Sequence, residues 1–113
     1  EHAMRADVQA HLARLLAHPR ADVRAAAARV ILAVGAGGLL PRLTSALQTE
    51  VSRDTFAELT RAVAILGGPA LDESLVASWA RLGPDAAPAA IAFARVRGPA
   101  ALGALDAVRS LPP

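Results

Sequence analysis

Apolar residues along this chain recur at helical spacing, and the pattern is closed off at regular distances. Residues 22–34 read DVRAAAARVILAV, with Val23, Ala27, Val30 and Val34 on one stripe and Leu32 on the opposite side. A helix that is apolar nearly all round needs cover on both flanks. Two segments of the same length follow, residues 54–66 (DTFAELTRAVAIL) and 85–97 (DAAPAAIAFARVR). Each of the three opens on an aspartate (Asp22, Asp54, Asp85) and is followed by a glycine (Gly35, Gly67, Gly98), the glycines lying 32 and 31 positions apart. An Asp carboxylate accepts the unpaired N–H groups of a first turn, and glycine enters the left-handed region without a Cβ clash. The spacing therefore predicts three helices, with the aspartates as N-caps and the glycines as stops.

The intervening segments repeat as well. Val8, Leu40, Leu71 and Leu102 share one register, and Leu12 and Leu75 share another that Thr44 and Asp106 break. These predict partner helices over residues 5–17, 39–49, 70–82 and 99–111. Pro41, Pro69 and Pro99 stand near helix starts, where a missing N–H costs nothing. His18-Pro19 ends the first helix, because the residue before proline is pushed out of the α region, and Pro88 is tolerated in the first turn of its helix. The result is about seven helices in pairs, and neighbouring pairs must stack to cover one another's apolar flanks.

One stretch carries a family resemblance. Leu15-Leu16-Ala17-His18-Pro19-Arg20-Ala21-Asp22-Val23-Arg24-Ala25-Ala26-Ala27 resembles the short bacterial HEAT-like repeat: a Leu pair, a D-P turn, V-R, an Ala run and a closing L-G. His18 stands where the family has Asp. The motif match covers residues 12–35, and the period extends over the chain. The resemblance implies an all-α, right-handed α-solenoid of antiparallel helix pairs forming one domain, with repeats over 5–35, 38–67, 68–98 and a partial one over 99–111. It also implies that Val23 packs in the core and that Arg24 joins a ladder of polar contacts between adjacent second helices. Phe56 and Ala87 occupy the places matching Arg24, so that ladder is expected to be incomplete; Glu50 and Arg81 occupy those matching His18.

Composition narrows the class. A chain of 113 residues, 54% apolar and 19% charged with a net charge of +2, is long enough for one core and too apolar for a disordered segment. Alanine, the best helix former, supplies 29 residues, while aromatics supply 3%, which argues against a β-rich fold. With no cysteine there is neither a disulfide scaffold nor a thiolate site. The isoelectric point near 11.0 reflects the use of Arg alone as the cation, since its pKa lies above ~12, and does not by itself imply nucleic acid. The longest apolar stretch, residues 30–40, is far short of the ~20 residues a spanning helix needs. Glu1-His2-Ala3-Met4 lacks the features of a signal peptide and reads as a cloning scar. The cytoplasm is the expected compartment, with no membrane association. Mean hydropathy is +0.38 and the ends are not strongly polar, so the chain reads as a fragment of a longer protein, or as one whose uncapped ends meet a partner or a second copy.

Candidate chemistry is sparse. His11 and His18 lie seven residues apart, about 10 Å along a helix, too far to share a zinc ion, and His2 is remote in sequence. Asp72-Glu73 is explained by the positive end of a helix, as is Glu50 near Asp54. No serine lies near a histidine and no G-x-S-x-G elbow occurs. Gly35-Ala36-Gly37-Gly38 and Gly67-Gly68-Pro69 read as helix stops, since neither belongs to a phosphate-loop motif. No catalytic, cofactor-binding or metal-binding residues are expected, and no cofactor. The arginines remain: Arg20, Arg24, Arg29, Arg53, Arg61, Arg95 and Arg97 lie on or beside the second helices, which by resemblance line a concave face. Such a row would grip an acidic peptide or phosphates, or cover apolar surface while pairing with Asp22, Asp54 and Glu58. Trp79 and Phe93 read as core. Phe56 reads as an exposed anchor whose truncation would weaken partner binding and leave melting unchanged. The expected function is a non-catalytic protein–protein interaction scaffold, with Arg24, Arg29, Phe56, Arg61 and Arg95 as candidate partner-binding residues. The alternatives are an Arg-lined nucleic-acid or phosphate binder, and, from the resemblance, an accessory domain of a larger enzyme or sensor.

Overall fold

A computed structural model of the chain describes residues 6–109, with side chains for residues 6–105. His2 and the rest of residues 1–5, the side chain of Asp106, and residues 110–113 lie outside the described part. Among the described residues the chain is all-helical, without a strand: α1 Ala6–Leu16, α2 Ala21–Val34, α3 Leu40–Thr49, α4 Arg53–Gly67, α5 Asp72–Ser78, α6 Ala87–Arg97 and α7 Ala101–Arg109. Short 3-10 turns over Gly37–Leu39, Pro69–Leu71, Gly83–Ala86 and Gly98–Ala100 lead into α3, α5, α6 and α7.

The glycine stops fall close to where the spacing puts them. Gly35 is left-handed (φ 68°, ψ 36°) and donates to Leu32 O, while Ala36 donates to Ile31 O at 3.0 Å. That doubly closed ending, with Ala36 and Ile31 both buried, satisfies two of the carbonyls a helix end leaves open. The second stop is one residue later than expected. Gly67 is the last residue of α4, and Gly68 takes the positive φ of 68°. Gly98 stops α6 as expected, at φ 62°.

The aspartates do not cap. The residue preceding α2 is Arg20, α4 is capped by Ser52, whose Oγ accepts from Thr55 N at 3.5 Å, and Ala86 precedes α6. Asp22 and Asp54 sit two residues past those positions, within the first turn, where the positive helix end still favours a carboxylate, and Asp85 lies in the 3-10 turn before α6. The helix expected over 70–82 is also interrupted. Only Asp72–Ser78 is α-helical, with 3-10 turns on either side at Pro69–Leu71 and Trp79–Arg81.

Packing centres on α4, which lies between α2 and α6 and also contacts α3; α1 packs on α2 and α3, and α5 on α7. Its buried residues, Thr55, Phe56, Leu59, Thr60, Ala62, Val63 and Ala64, face three directions. Leu12, Leu16, Ile31, Leu43, Leu47, Leu75 and Phe93 complete the core. Alanines at Ala25, Ala28, Ala62, Ala64 and Ala89 let the backbones of α2, α4 and α6 approach closely. Trp79 is partly buried and meets Phe93 edge-on, with ring centres 5.6 Å apart. No helix among the described residues is long and apolar enough to cross a membrane.

Candidate interaction surface

The sequence offers arginines as the chemistry of this chain, and the fold divides them into those bound within the chain and those left free. Arg24, in the first turn of α2, is bound. Its Nε and Nη2 donate to the two carboxylate oxygens of Glu50 at 2.7 and 2.8 Å, and its Nη1 donates to His18 O and Pro19 O at 2.7 and 3.0 Å. Glu50, just past α3, is buried, and its Oε2 also accepts from Val51 N and Ser52 N at 3.2 and 3.1 Å. Burial raises the Glu50 pKa, but the Arg24 guanidinium and the two backbone N–H groups outweigh it and hold the carboxyl below its ordinary value. The same pairing raises the Arg24 pKa. Arg24 thus ties the end of α1 to the end of α3, and its bonds run to these first-helix ends instead of to a neighbouring second helix.

The expected ladder between second helices is not what these arginines form, and a second arginine also binds at the end of α3. Arg81 donates from Nη1 to Glu50 O at 2.8 Å and from Nη2 to Leu47 O at 2.7 Å, capping the carbonyl end of α3. Its guanidinium carbon stands 5.7 Å from the centre of the Phe56 ring, within cation–π range. Phe56 is fully buried, which corrects the reading of it as an exposed anchor: the ring fills the space beneath Arg81 and belongs to the core. At the opposite end of the helices, Arg97 makes a bidentate pair with Asp72 at 2.7 and 2.8 Å, donates to Ala64 O at 2.8 Å and lies 5.8 Å from the Phe93 ring centre. Sequence reasoning missed Glu50, Arg81 and Asp72 as partners. The signal present was that His18, Glu50 and Arg81 share one register place, at the ends of successive first helices.

Three candidate residues remain on the surface. Arg29 on α2 reaches across to Glu58 on α4 at 3.2 Å, an exposed pair of the kind that contributes ~0–1 kcal/mol. Arg61 on α4 and Arg95 on α6 are exposed and make no hydrogen bond or ion pair among the described residues. On α4, Asp54, Glu58, Arg61 and Ile65 recur at helical spacing along the solvent side, Ile65 being 42% exposed. A shallow cavity of 370 Å³ lies between the starts of α2 and α4, lined by Asp22, Arg29, Ser52 and Asp54 among others. Asp22 is itself paired to Arg20 at 2.7 Å, and that hydrogen bond holds its carboxyl below its ordinary value.

The histidines serve local structure. His18 Nδ1 accepts from Arg20 N at 3.0 Å, doing for the His-Pro turn what an Asp carboxylate would do there. His11 Nδ1 lies 3.5 Å from Arg14 Nη2. Among the described residues no three His, Asp or Glu side chains come together as a metal site. Comparison with protein-family models finds no match, and neither does comparison with curated proteins or with solved structures.

Proposed function

We propose that the chain is a HEAT-like α-solenoid that works as a non-catalytic protein-interaction scaffold, binding a partner on the outer face of the layer formed by α2, α4 and α6. The observation that carries this reading is the unspent guanidinium of Arg61 beside the exposed Ile65, in a chain whose Arg20, Arg24, Arg29, Arg81 and Arg97 are already engaged. Arginine beside an apolar side chain on a rigid surface is a frequent binding anchor, and a helical layer that is already ordered adds little entropic cost on association. Arg29 and Arg95 extend the same surface. The face also carries Asp54 and Glu58, and this alternation of sign favours a protein segment over the uniform negative charge of a nucleic acid.

A peptide library displayed against the chain tests the reading. Sequences with acidic residues flanking an apolar one should be enriched, and Arg61→Glu should weaken their binding about tenfold or more without moving the melting transition. Enrichment unaffected by Arg61→Glu would remove this face from the function. Tight binding to duplex DNA, weakening by about one log unit per log of salt for each phosphate contacted, would put the nucleic-acid reading in its place.

A further inference from the structure

The seams on either side of α4 are built from the same register positions. Thr55 Oγ1 donates to Ala21 O on α2 at 2.9 Å, and Arg97 donates to Ala64 O on α4, which fixes the directions these helices face. Toward α2, α4 turns Thr55 and Ala62; 31 positions later stand Ala86, in the turn before α6, and Phe93 of α6. All four are buried. On the other side of each seam, Ala28 of α2 and, 32 positions later, Thr60 of α4 are fully buried.

Carried one step further in each direction, the register lands on uncovered apolar side chains. The place of Ala28 and Thr60 is taken on α6 by Ile91, which is 53% exposed. The places of Thr55 and Ala62 are taken on α2 by Val23 and Val30, and that of Leu66 by Val34; Val30 is 45% and Val34 54% exposed. Beside Val23 and Val30, between α1 and α2, lies an open groove of 430 Å³ whose walls include Leu12 and Leu15. These two faces are the two halves of an interface that the chain closes twice within itself.

We propose that they close on each other between copies: the Ile91 flank of α6 in one molecule packs into the groove beside Val23 and Val30 on α2 of the next. The occupant is a second copy because each flank stands in the register places of a face that, inside the chain, is covered by the equivalents of the other flank, with Arg95 in the place of the buried Ala64 as the exception. The contact joins different surfaces on the two molecules, so it leaves a free face at each end and propagates instead of closing as a symmetric dimer. Arg95, in the place of Ala64, is the charged group on the α6 flank, and Asp22 and Arg29 border the groove. Arg29 and Arg95 border both these flanks and the Arg61 surface, but Arg61 itself, on α4, lies on neither flank, so Arg61→Glu and variants on the flanks test the two proposals separately.

Sedimentation of the chain over a wide concentration range tests this, with Val30→Glu and Ile91→Glu as variants and thermal melts as the folding control. The mass of the unaltered chain is expected to rise with concentration from 11.6 kDa without levelling at a dimer. Each variant alone should remain monomeric. Mixed in equal amounts they should form a heterodimer, because each supplies the face the other has lost. If Val30→Glu fails to fold, Val34→Glu blocks the same flank. A chain that stays monomeric throughout overturns the proposal, as does a mixture of the two variants that stays monomeric. So does a single variant that still associates, which would mean a same-face dimer.

Discussion

Replacing Glu50 by Gln keeps its shape and removes the charge that receives Arg24 from two directions and two backbone N–H groups as well. Breaking one side of a buried, hydrogen-bonded ion pair costs about 3–5 kcal/mol, and the partial exposure of Arg24, 18% against 1% for Glu50, places this case at the lower end. Urea unfolding of Glu50→Gln at neutral pH should therefore show a loss of about 3 kcal/mol. The pair also sets a pH dependence. The folded carboxyl titrates below its ordinary value of 4.5, so on acidification the unfolded chain takes up the proton first and stability falls. The contribution is complete above the unfolded value and disappears as pH drops through the folded one. Glu50→Gln should accordingly lose less stability than the parent between neutral pH and pH ~3; parallel curves for the two would show that the pair contributes no linkage. The residue types of this cluster were legible in the sequence, but their pairing was not. Arg24 and Glu50 are 26 positions apart and Arg81 and Leu47 are 34 apart, and only the stacking of the helices brings them together. Phe56 was misjudged for the same reason. Its register place pointed to a polar surface position, and the arginine that lies over it comes from a later turn of the chain.

Helix stops and starts were legible to different degrees, for a physical reason. The stops of α2, α4 and α6 take positive φ, which few residues other than glycine supply, so the glycines mark them within one position. A start has several equivalent solutions, including a hydroxyl cap, a first-turn carboxylate or a preceding 3-10 turn, and the chain uses all three. This leaves a testable difference among the stops themselves. Gly35 occupies the ordinary left-handed region, with ψ 36°, whereas Gly68 combines φ 68° with ψ −174°. The second conformation is almost closed to any residue with a Cβ, at a cost of about 1–3 kcal/mol, while asparagine is accepted in the first. Space does not decide the matter, because a Cβ at either glycine would meet nothing within 4 Å. Gly68→Asn should thus lower the melting temperature clearly and Gly35→Asn only slightly. Equal effects would show that the backbone between α4 and α5 relaxes out of its conformation. The shortness of α5 was not legible, since residues 70–82 hold apolar spacing throughout and nothing in their composition marks where the α-helix gives way to 3-10 turns.

Across the whole molecule, the packing of the helices places the stability unevenly. α4 is the helix flanked on both sides by another of its own layer, α2 and α6, and it also rests on α3. It contributes the fully buried Phe56, Leu59, Thr60, Ala62 and Ala64. By contrast α1 buries Leu12 and Leu16, with Ala13 and Leu15 only partly covered. Alanine buries little area, so most helices gain modestly from their own side chains and depend on neighbours. The polar clamps add to this: Arg24 and Arg81 bind at the ends of α1 and α3, and Arg97 ties α6 to the end of α4 and the start of α5. Amide exchange follows the free energy of local opening, from nearly zero at fraying elements to the global value at the centre. Exchange should therefore be slowest along α4 between Phe56 and Ala64, intermediate in α2 and α6, and fastest in α1. Under conditions that promote association of copies, α2 and α6 should gain protection on their outer flanks while α4, already covered, stays unchanged. Slowest exchange in α1 would mean that stability does not radiate from the middle of the stack, and the shared-register account of both seams would fail with it.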